Sequence, residues 1–193
     1  MNTMRLIVSI LIGIGLIVIV LILIFRAFAS LGTTNRSDVD RSQANLASQA
    51  DNDSTMRFTT QGRINSEEEH RQIVISVSRS QVQMQVMSGY QNNVIDSATF
   101  ANNEAAYGNF LRALDLAGFT NGNDSEELRD ERGYCPRGQR FVLEAHGEGL
   151  DTRFWFTSCS NTTRTSRADV NTVRDLFRAQ VPDYSNRVSG VQL

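Results

Sequence analysis

The sequence contains no lysine, since all 19 of its basic residues are arginine. A Walker A loop needs a lysine on the phosphates of its nucleotide. Schiff-base chemistry and Ser–Lys dyads need a lysine amine. These mechanisms are therefore excluded for this chain.

Clustered positive charge is also missing. The 19 arginines stand against 21 acidic residues, and Arg5 and Arg26 flank the first apolar segment, so the rest of the chain holds 17 arginines (19 minus 2) against 21 acids, a net charge of −4. Nucleic acids and anionic lipids are bound mainly by clustered positive charge. The composition therefore predicts a partner other than nucleic acid.

The chain has one long hydrophobic run, Leu6–Phe25, twenty residues without a charge. At about 1.5 Å per residue, a helix of this length spans roughly 30 Å, the thickness of the hydrocarbon core of a bilayer. Signal peptides have a shorter apolar core of about 7–15 residues, although Ala27-Phe28-Ala29 is typical of a cleavage site. We interpret residues 1–29 as a permanent transmembrane anchor, with a cleaved signal as the alternative.

A polar linker and one domain follow the predicted anchor. Residues 30–55 are rich in Ser, Asn, Asp, Gln and Thr, and a segment with so few large apolar groups does not fold alone. Residues 56–188 are numerous enough for one domain with its own core. Residues 189–193 are predicted to form a loose tail.

Alternation of apolar and polar residues predicts the strands of this domain. In Val82-Gln83-Met84-Gln85-Val86 every second residue is apolar, which is typical of a strand with one face on a core and one in water. The predicted strands are Arg57–Thr60, Ile73–Val77, Val82–Val86, Val94–Phe100, Arg140–Ala145 and Arg153–Thr157.

Two segments with helical periodicity complete the domain. Between Asn102 and Gly118 the apolar residues recur at i, i+3, i+4 and i+7. Asn102 or Asn103 can cap the first turn, and Gly118 suits the left-handed end. A capping box at 166–169 predicts a second helix, which Pro182 ends. The order β-β-β-β-α-β-β-α with short connections predicts an α+β fold, an antiparallel sheet packed by two helices.

Two cysteines bracket the second predicted hairpin. Its turn centres near residue 148, so Cys135 and Cys159 lie 13 and 11 positions from it and come together at the open end. A disulfide there closes a loop of about 25 residues and stabilises the domain by about 3 kcal/mol in the chain-entropy model. Disulfides persist in oxidising compartments. The pair therefore predicts a domain outside the cytoplasm, with the N-terminus inside.

A second interpretation makes Cys159 a nucleophile that uses His146 as its base. Thr157-Ser158-Cys159 resembles the strand-end Thr-x-Thr-Cys of sortases, and His146-Gly147 followed by Ser158-Cys159 resembles the His-Gly…Ser-x-Gly-Cys of L,D-transpeptidases. The resemblance implies a cell-wall cysteine transpeptidase-like enzyme. Ser158 stands where a transpeptidase has glycine, and neither histidine of the chain has the spacing found in sortases. Thiolate chemistry also requires a free thiol, which the disulfide would remove.

The segment Glu67-Glu68-Glu69-His70 carries side chains that ligate metals. A zinc site needs three or four convergent ligands, whereas adjacent positions in a turn do not converge. We therefore interpret the segment as a solvated charged turn. The sequence predicts no metal site, no cofactor and no catalytic group.

Trp155 lies between Phe154 and Phe156 in the last predicted strand. If both phenylalanines face the core, Trp155 faces the other side of the sheet. There it either anchors a partner or is covered by a neighbouring element, and both alternatives stay open.

The two-cysteine hairpin and the helix Val173-Arg174-Asp175-Leu176-Phe177 resemble those of small single-pass, membrane-anchored, exported bacterial proteins of unknown function. That resemblance implies a location and no particular activity. We expect a non-enzymatic extracytoplasmic module that contacts the membrane through Leu6–Phe25. It is predicted to bind a protein or a cell-envelope component through the open face of the sheet near Trp155.

Overall fold

The computed structural model describes residues 46–160 and 162–193. In this part of the chain the strands are β1 (Thr55–Gln61), β2 (Arg71–Ser78), β3 (Gln81–Ser88), β4 (Asn93–Ala101), β5 (Arg140–Gly147) and β6 (Leu150–Thr157). The α-helices there are α1 (Glu104–Leu116), α2 (Val170–Ala179) and α3 (Tyr184–Arg187). The predicted anchor Leu6–Phe25 and most of the predicted linker lie outside the described residues. Among the described residues, no helix has the length and apolarity needed to cross a membrane.

The described strands form one antiparallel sheet in the spatial order β4-β3-β2-β1-β5-β6. Strand β1 lies near the centre, paired with β2 on one side and with β5 on the other. The hairpins β2-β3, β3-β4 and β5-β6 build the two flanks outward. For the described residues, the predicted α+β class is confirmed.

The sheet has a core face and an open face, because side chains alternate along each strand. Phe58 pairs with Ile75 and with Leu143 on the core face, and all three are buried. The helices α1 and α2 cover this face. Phe177 of α2 stacks on Phe58 with ring centroids 5.4 Å apart and meets Phe110 of α1 edge-on at 5.1 Å. The opposite side, on which neither α1 nor α2 lies, is called the open face below.

Helices α1 and α2 each begin at a capping side chain. The Asn103 side chain accepts a hydrogen bond from the Ala106 N–H, so Asn103 caps α1, and Gly118 after its end has a φ of +72°. The predicted capping box at 166–169 is wrong in its position, because the cap of α2 is Asp169, which accepts from the Thr172 N–H. Ser166 lies four residues before the start of α2, where it forms a β-bridge with residue 122 and its hydroxyl accepts a hydrogen bond of 3.3 Å from the Ala168 N–H.

The domain begins earlier than residue 56. Leu46 is fully buried in the core, within a 3-10 helix at Leu46–Gln49 that packs on α1. Ser54 is also buried, and its hydroxyl lies 2.9 Å from the hydroxyl of Tyr107. The C-terminal part of the segment predicted as a linker therefore belongs to the folded domain.

The C-terminal residues pack against the domain, where the sequence predicted a loose tail. Val191 and Leu193 are partly buried against the core. A Cβ added at Gly62 would lie 3.0 Å from the Leu193 backbone, so the chain end runs close to the turn after β1. The apolar side chains of this segment explain the difference, since they gain burial at the edge of the core.

Candidate functional site

A polar cleft of about 780 Å³ lies on the open face of the sheet. The sheet contributes Gln61, Gln72 and Arg140, which are neighbours because Gln61 pairs with Gln72 on β2 and with Arg140 on β5. The rest of the lining includes Tyr90, Glu126 and residues 129–132. The cleft thus lies between the end of three central strands and a long connection between α1 and β5.

That connection, residues 120–139, is called the cover loop below. The indole Nε1 of Trp155 donates a hydrogen bond of 2.6 Å to the carbonyl of Leu128. The N–H of Ile64 donates one of 2.8 Å to the carbonyl of Pro136. The cover loop contains no regular element longer than three residues. These two hydrogen bonds hold it in place over the open face.

Trp155 faces the open side of the sheet, opposite Phe154 and Phe156, as the alternation predicted. It is nevertheless fully buried, with 0% of its surface exposed. The ring of Tyr134 lies 4.7 Å from it between centroids, and the Trp155 N–H donates to the Thr165 hydroxyl at 2.8 Å. Of the two alternatives for this residue, the structure has the covered one, so Trp155 holds the cover loop and offers no surface to a partner.

The predicted disulfide between Cys135 and Cys159 is present, with 5.8 Å between the two Cα atoms. Arg140 and Thr157 form the last pair of the β5-β6 hairpin, and the two cysteines lie just beyond it. The bond therefore ties the C-terminal end of the cover loop to the chain leaving β6.

A buried carboxylate, Glu131, lies between the cover loop and the sheet. It is 3% exposed and accepts hydrogen bonds of 2.7 Å from Gln61 Nε2 and 2.5 Å from Arg153 Nη2. Arg153 also lies 3.4 Å from Glu144 on β5. Charge-assisted bonds of this kind offset the cost of burying a carboxylate, so Glu131 joins the loop to β1 and β6.

A buried guanidinium, Arg140, lies beside Glu131 in the cleft and is 2% exposed. Its Nε donates to Gln61 Oε1 at 3.0 Å, and its Nη2 donates to the Gly62 carbonyl at 2.8 Å. The Nη1 atom is buried and has no hydrogen-bond partner in the described chain. Burial lowers the pKa of Arg140, and the charge of Glu131 partly opposes that effect.

The mouth of the cleft carries more exposed charges. Arg132 donates to both carboxylate oxygens of Asp130, at 2.7 to 3.0 Å. Those hydrogen bonds lower the pKa of Asp130 to about 2. The side chains of Arg132 and Asp130 are 83% and 54% exposed, so this pair can rearrange without disturbing the core.

His70 is buried, which corrects the prediction of a solvated charged turn. It is 2% exposed, its ring stacks on Tyr90 with centroids 4.2 Å apart, and its Nδ1 lies 3.1 Å from the Arg63 carbonyl. The residue ends the turn and is drawn under Tyr90, whereas Glu67–Glu69 remain exposed. Among the described residues there is no group of three metal-ligating side chains that could hold an ion.

Burial lowers the pKa of His70 below its ordinary value of 6.5. Below about pH 6.5 the unfolded chain therefore binds a proton at this histidine, whereas the folded domain binds it only at a lower pH. The contribution of His70 to stability is fully present above pH 6.5 and is lost as the pH falls from there through the folded pKa. We expect the free energy of unfolding, measured by denaturant titration between pH 7.5 and 5, to decrease with acidification.

The His70→Asn variant should remove much of this slope, since the amide can still bond the Arg63 carbonyl but does not titrate. His146→Gln replaces the other histidine, at an exposed position, and unlike His70→Asn should retain the decrease in stability on acidification. An unchanged slope in His70→Asn contradicts the prediction.

The structure does not bring His146 and Cys159 together. His146 pairs with Asp151 at the turn end of the β5-β6 hairpin, where its Nδ1 lies 3.0 Å from the Asp151 carboxylate. Cys159 follows Thr157 at the opposite end, and strand β6 between Asp151 and Thr157 measures roughly 20 Å at about 3.3 Å per residue. The geometry required for a thiolate with His146 as its base is therefore absent.

The sequence did not single out Arg140 or Glu131. For Arg140 the sequence does contain an indication of its place in the sheet. It begins a strand with alternating residues, so it lies on the face opposite Phe141, which is the face of Trp155. Glu131 carries no such signal, since it stands in an acidic loop whose other carboxylates are exposed. Its burial depends on Gln61 and Arg153, which the chain brings to it from far along the sequence.

Comparison with known proteins found no protein-family model that matches the chain, and no significant match among curated protein sequences. The function is therefore argued from the geometry of the cleft.

Proposed function

We propose that the chain is a membrane-anchored extracytoplasmic binding module that takes its ligand in the polar cleft. One observation carries the proposal: Glu131 and Arg140, a carboxylate and a guanidinium, are both buried in the lining of that cleft, where each is hydrogen-bonded to Gln61. Burying charge costs free energy unless the charge is well paired. Charged groups buried in a cleft are typical of functional sites.

The location rests on two further features. The apolar run Leu6–Phe25 is long enough for a bilayer-spanning helix, which supports the anchor. The Cys135–Cys159 disulfide supports a domain in an oxidising compartment, outside the cytoplasm. We accordingly propose that the ligand is an envelope protein or a cell-wall component.

A photo-crosslinking experiment on the full chain in its native membranes tests this proposal. A photoreactive amino acid replaces Ile64 or Arg132, which line the cleft and are exposed. The matched control position is Leu116, which is 91% exposed at the end of α1, on the helical side of the sheet. We expect one product of the same mass from both cleft positions and none from Leu116.

Two further treatments then determine the chemical nature of the crosslinked partner and the side of the membrane on which the domain lies. Digestion of the product with a protease or with a wall-degrading muramidase separates a protein partner from a glycan one. Protease added to intact cells, from which any outer layer has been removed, should degrade the domain. Absence of a cleft-specific product contradicts the binding proposal, and a protected domain contradicts the proposed location.

A further inference from the structure

Arg140 has a bonding capacity that the fold leaves unused. Two of its three nitrogens are occupied by neutral acceptors, Gln61 and the Gly62 carbonyl. Its third, Nη1, has no partner among the described residues, although it is buried. A guanidinium is always charged at neutral pH and has no acceptor role, so only an acceptor, and best an anion, satisfies that nitrogen.

The carboxylates of the cleft are already engaged with other arginines. The described lining contains four arginines and three carboxylates. The ion pairs among them join Glu131 to Arg153, Asp130 to Arg132 and Glu126 to Arg129. Arg140 is the remaining arginine of this set, and no described carboxylate lies within ion-pair distance of it. Among the lining residues alone the arginines therefore exceed the carboxylates by one, and Arg140 is the arginine without an ion pair, while Arg153 also pairs with Glu144 outside the lining.

We propose that the cleft binds an oxyanion, a carboxylate or phosphate group of the ligand, at Nη1 of Arg140, with Arg132 closing over it from the mouth. This inference names the ligand class of the same cleft and so rests on the proposed function. Oxyanions form short, strong hydrogen bonds with guanidinium groups. In a site with little water such a bond is worth more than at a surface.

Access to Nη1 requires movement of neighbouring side chains, because the atom is buried in the structure. The Arg132–Asp130 pair can supply this movement, since both side chains are largely exposed and both line the cleft. When the pair opens, Arg132 is free to turn its guanidinium from Asp130 to the incoming anion. The exchange replaces one charge-assisted bond with another, so its net cost is small.

The test is an NMR titration of the full chain in detergent micelles, observed at the Nε–H resonances of the arginine side chains. Sodium acetate, sodium phosphate and sodium chloride are added in separate arms at equal ionic strength. We expect the Arg140 resonance to shift saturably with acetate or phosphate and to stay in place with chloride. A response to acetate alone assigns a carboxylate, and a response to phosphate alone assigns a phosphate.

Variants then locate the anion. Arg140→Gln should weaken binding about tenfold to a hundredfold, which corresponds to the loss of a hydrogen bond to a charged group. Arg132→Gln should weaken it by a smaller factor, and Arg112→Gln, on an exposed turn of α1, should leave it unchanged. If Arg140→Gln does not fold by circular dichroism, the wild-type Arg140 shift and the Arg132→Gln affinity decide the question.

A chloride response equal to the other two, or an affinity that survives Arg140→Gln, overturns the proposal. An unchanged affinity in Arg132→Gln overturns the part assigned to Arg132. The proposed function fails separately, because its own test is the cleft-specific crosslink. A crosslink without any oxyanion response leaves a binding module whose ligand does not use Arg140.

Discussion

Replacing Trp155 with alanine is expected to lower the free energy of unfolding by about 3–5 kcal/mol, the usual cost of truncating a buried large aromatic residue. The side chain is fully buried and packs on Tyr134. Its loss also removes the donor that satisfies the Leu128 carbonyl. The cavity and the lost bond both lie under the cover loop, so the effect is expected to reach the cleft.

Trp155→Phe separates these two contributions. Phenylalanine keeps most of the apolar packing but cannot donate to the half-buried Leu128 carbonyl, and the loss of one hydrogen bond usually costs about 0.5–1.5 kcal/mol. We expect a loss within that range, together with faster amide hydrogen exchange in residues 120–139. The exchange measurement separates a loosened loop from a general loss of stability.

Unfolding of these variants should be followed by far-ultraviolet circular dichroism, because Trp155 is the only tryptophan of the chain. Leu116→Ala serves as the control, since Leu116 is 91% exposed and such substitutions usually change stability by less than about 0.5 kcal/mol. A loss below about 1 kcal/mol in Trp155→Ala contradicts the structural role assigned to the indole.

The second large effect is expected from the disulfide. The cysteines are 24 positions apart, and in the chain-entropy model a bond that closes a loop of about this length stabilises a protein by about 3 kcal/mol. Replacing both Cys135 and Cys159 with serine should therefore lower the free energy of unfolding by about that amount. Adding a reductant to the wild type should have the same effect.

The measurement compares denaturation midpoints with and without reductant, and alkylation followed by intact mass reports the state of the thiols. In the wild type, alkylation should require prior reduction. The double serine variant controls for reductant effects that do not involve the bond, since its midpoint should not move. A midpoint that stays fixed while both thiols become alkylated would show that the bond contributes nothing to stability.

Both sets of variants act on the cover loop, so their effects should not be additive. Trp155 holds the middle of the loop through Leu128, and Cys135 holds its C-terminal end. Sites that restrain one segment usually show a coupling energy of about 0.5–3 kcal/mol in a double-mutant cycle. Loss of either restraint is also expected to loosen the wall of the cleft, because Glu126 and residues 129–132 supply part of its lining.

The sequence by itself determined the elements of the fold. Alternation with period two marks β3, where Val82, Met84 and Val86 are buried on the core face. Helical periodicity and local capping chemistry mark α1 from its cap at Asn103. These features depend on residues a few positions apart, so the local pattern contains the whole signal.

The disulfide was predictable for a related reason. The turn of the β5-β6 hairpin sets the register of the two strands, and that register brings the flanking cysteines together. The local pattern was less reliable at the ends of elements. It placed the cap of α2 at Ser166, which has the right side-chain chemistry. In the structure Ser166 instead forms a β-bridge with Gly122, from another part of the chain, and Asp169 is the cap.

The tertiary structure alone decided what is buried on the open face. Periodicity could place Trp155 on that face but could not show that the cover loop lies over it. His70 is buried under Tyr90, 20 positions further along the chain. In each case the covering residues come from a distant segment of the chain, so the local sequence pattern could not predict the burial.

The candidate site shows most clearly which features the sequence determined and which only the tertiary structure decided. Glu131 is satisfied by Gln61, 70 positions away, and Arg140 by Gln61 and Gly62, 79 and 78 positions away. The sequence determined that these groups are charged or polar. Only the meeting of β1, β5 and the cover loop decided that two of them are buried together, because desolvation of a charge depends on everything packed around it.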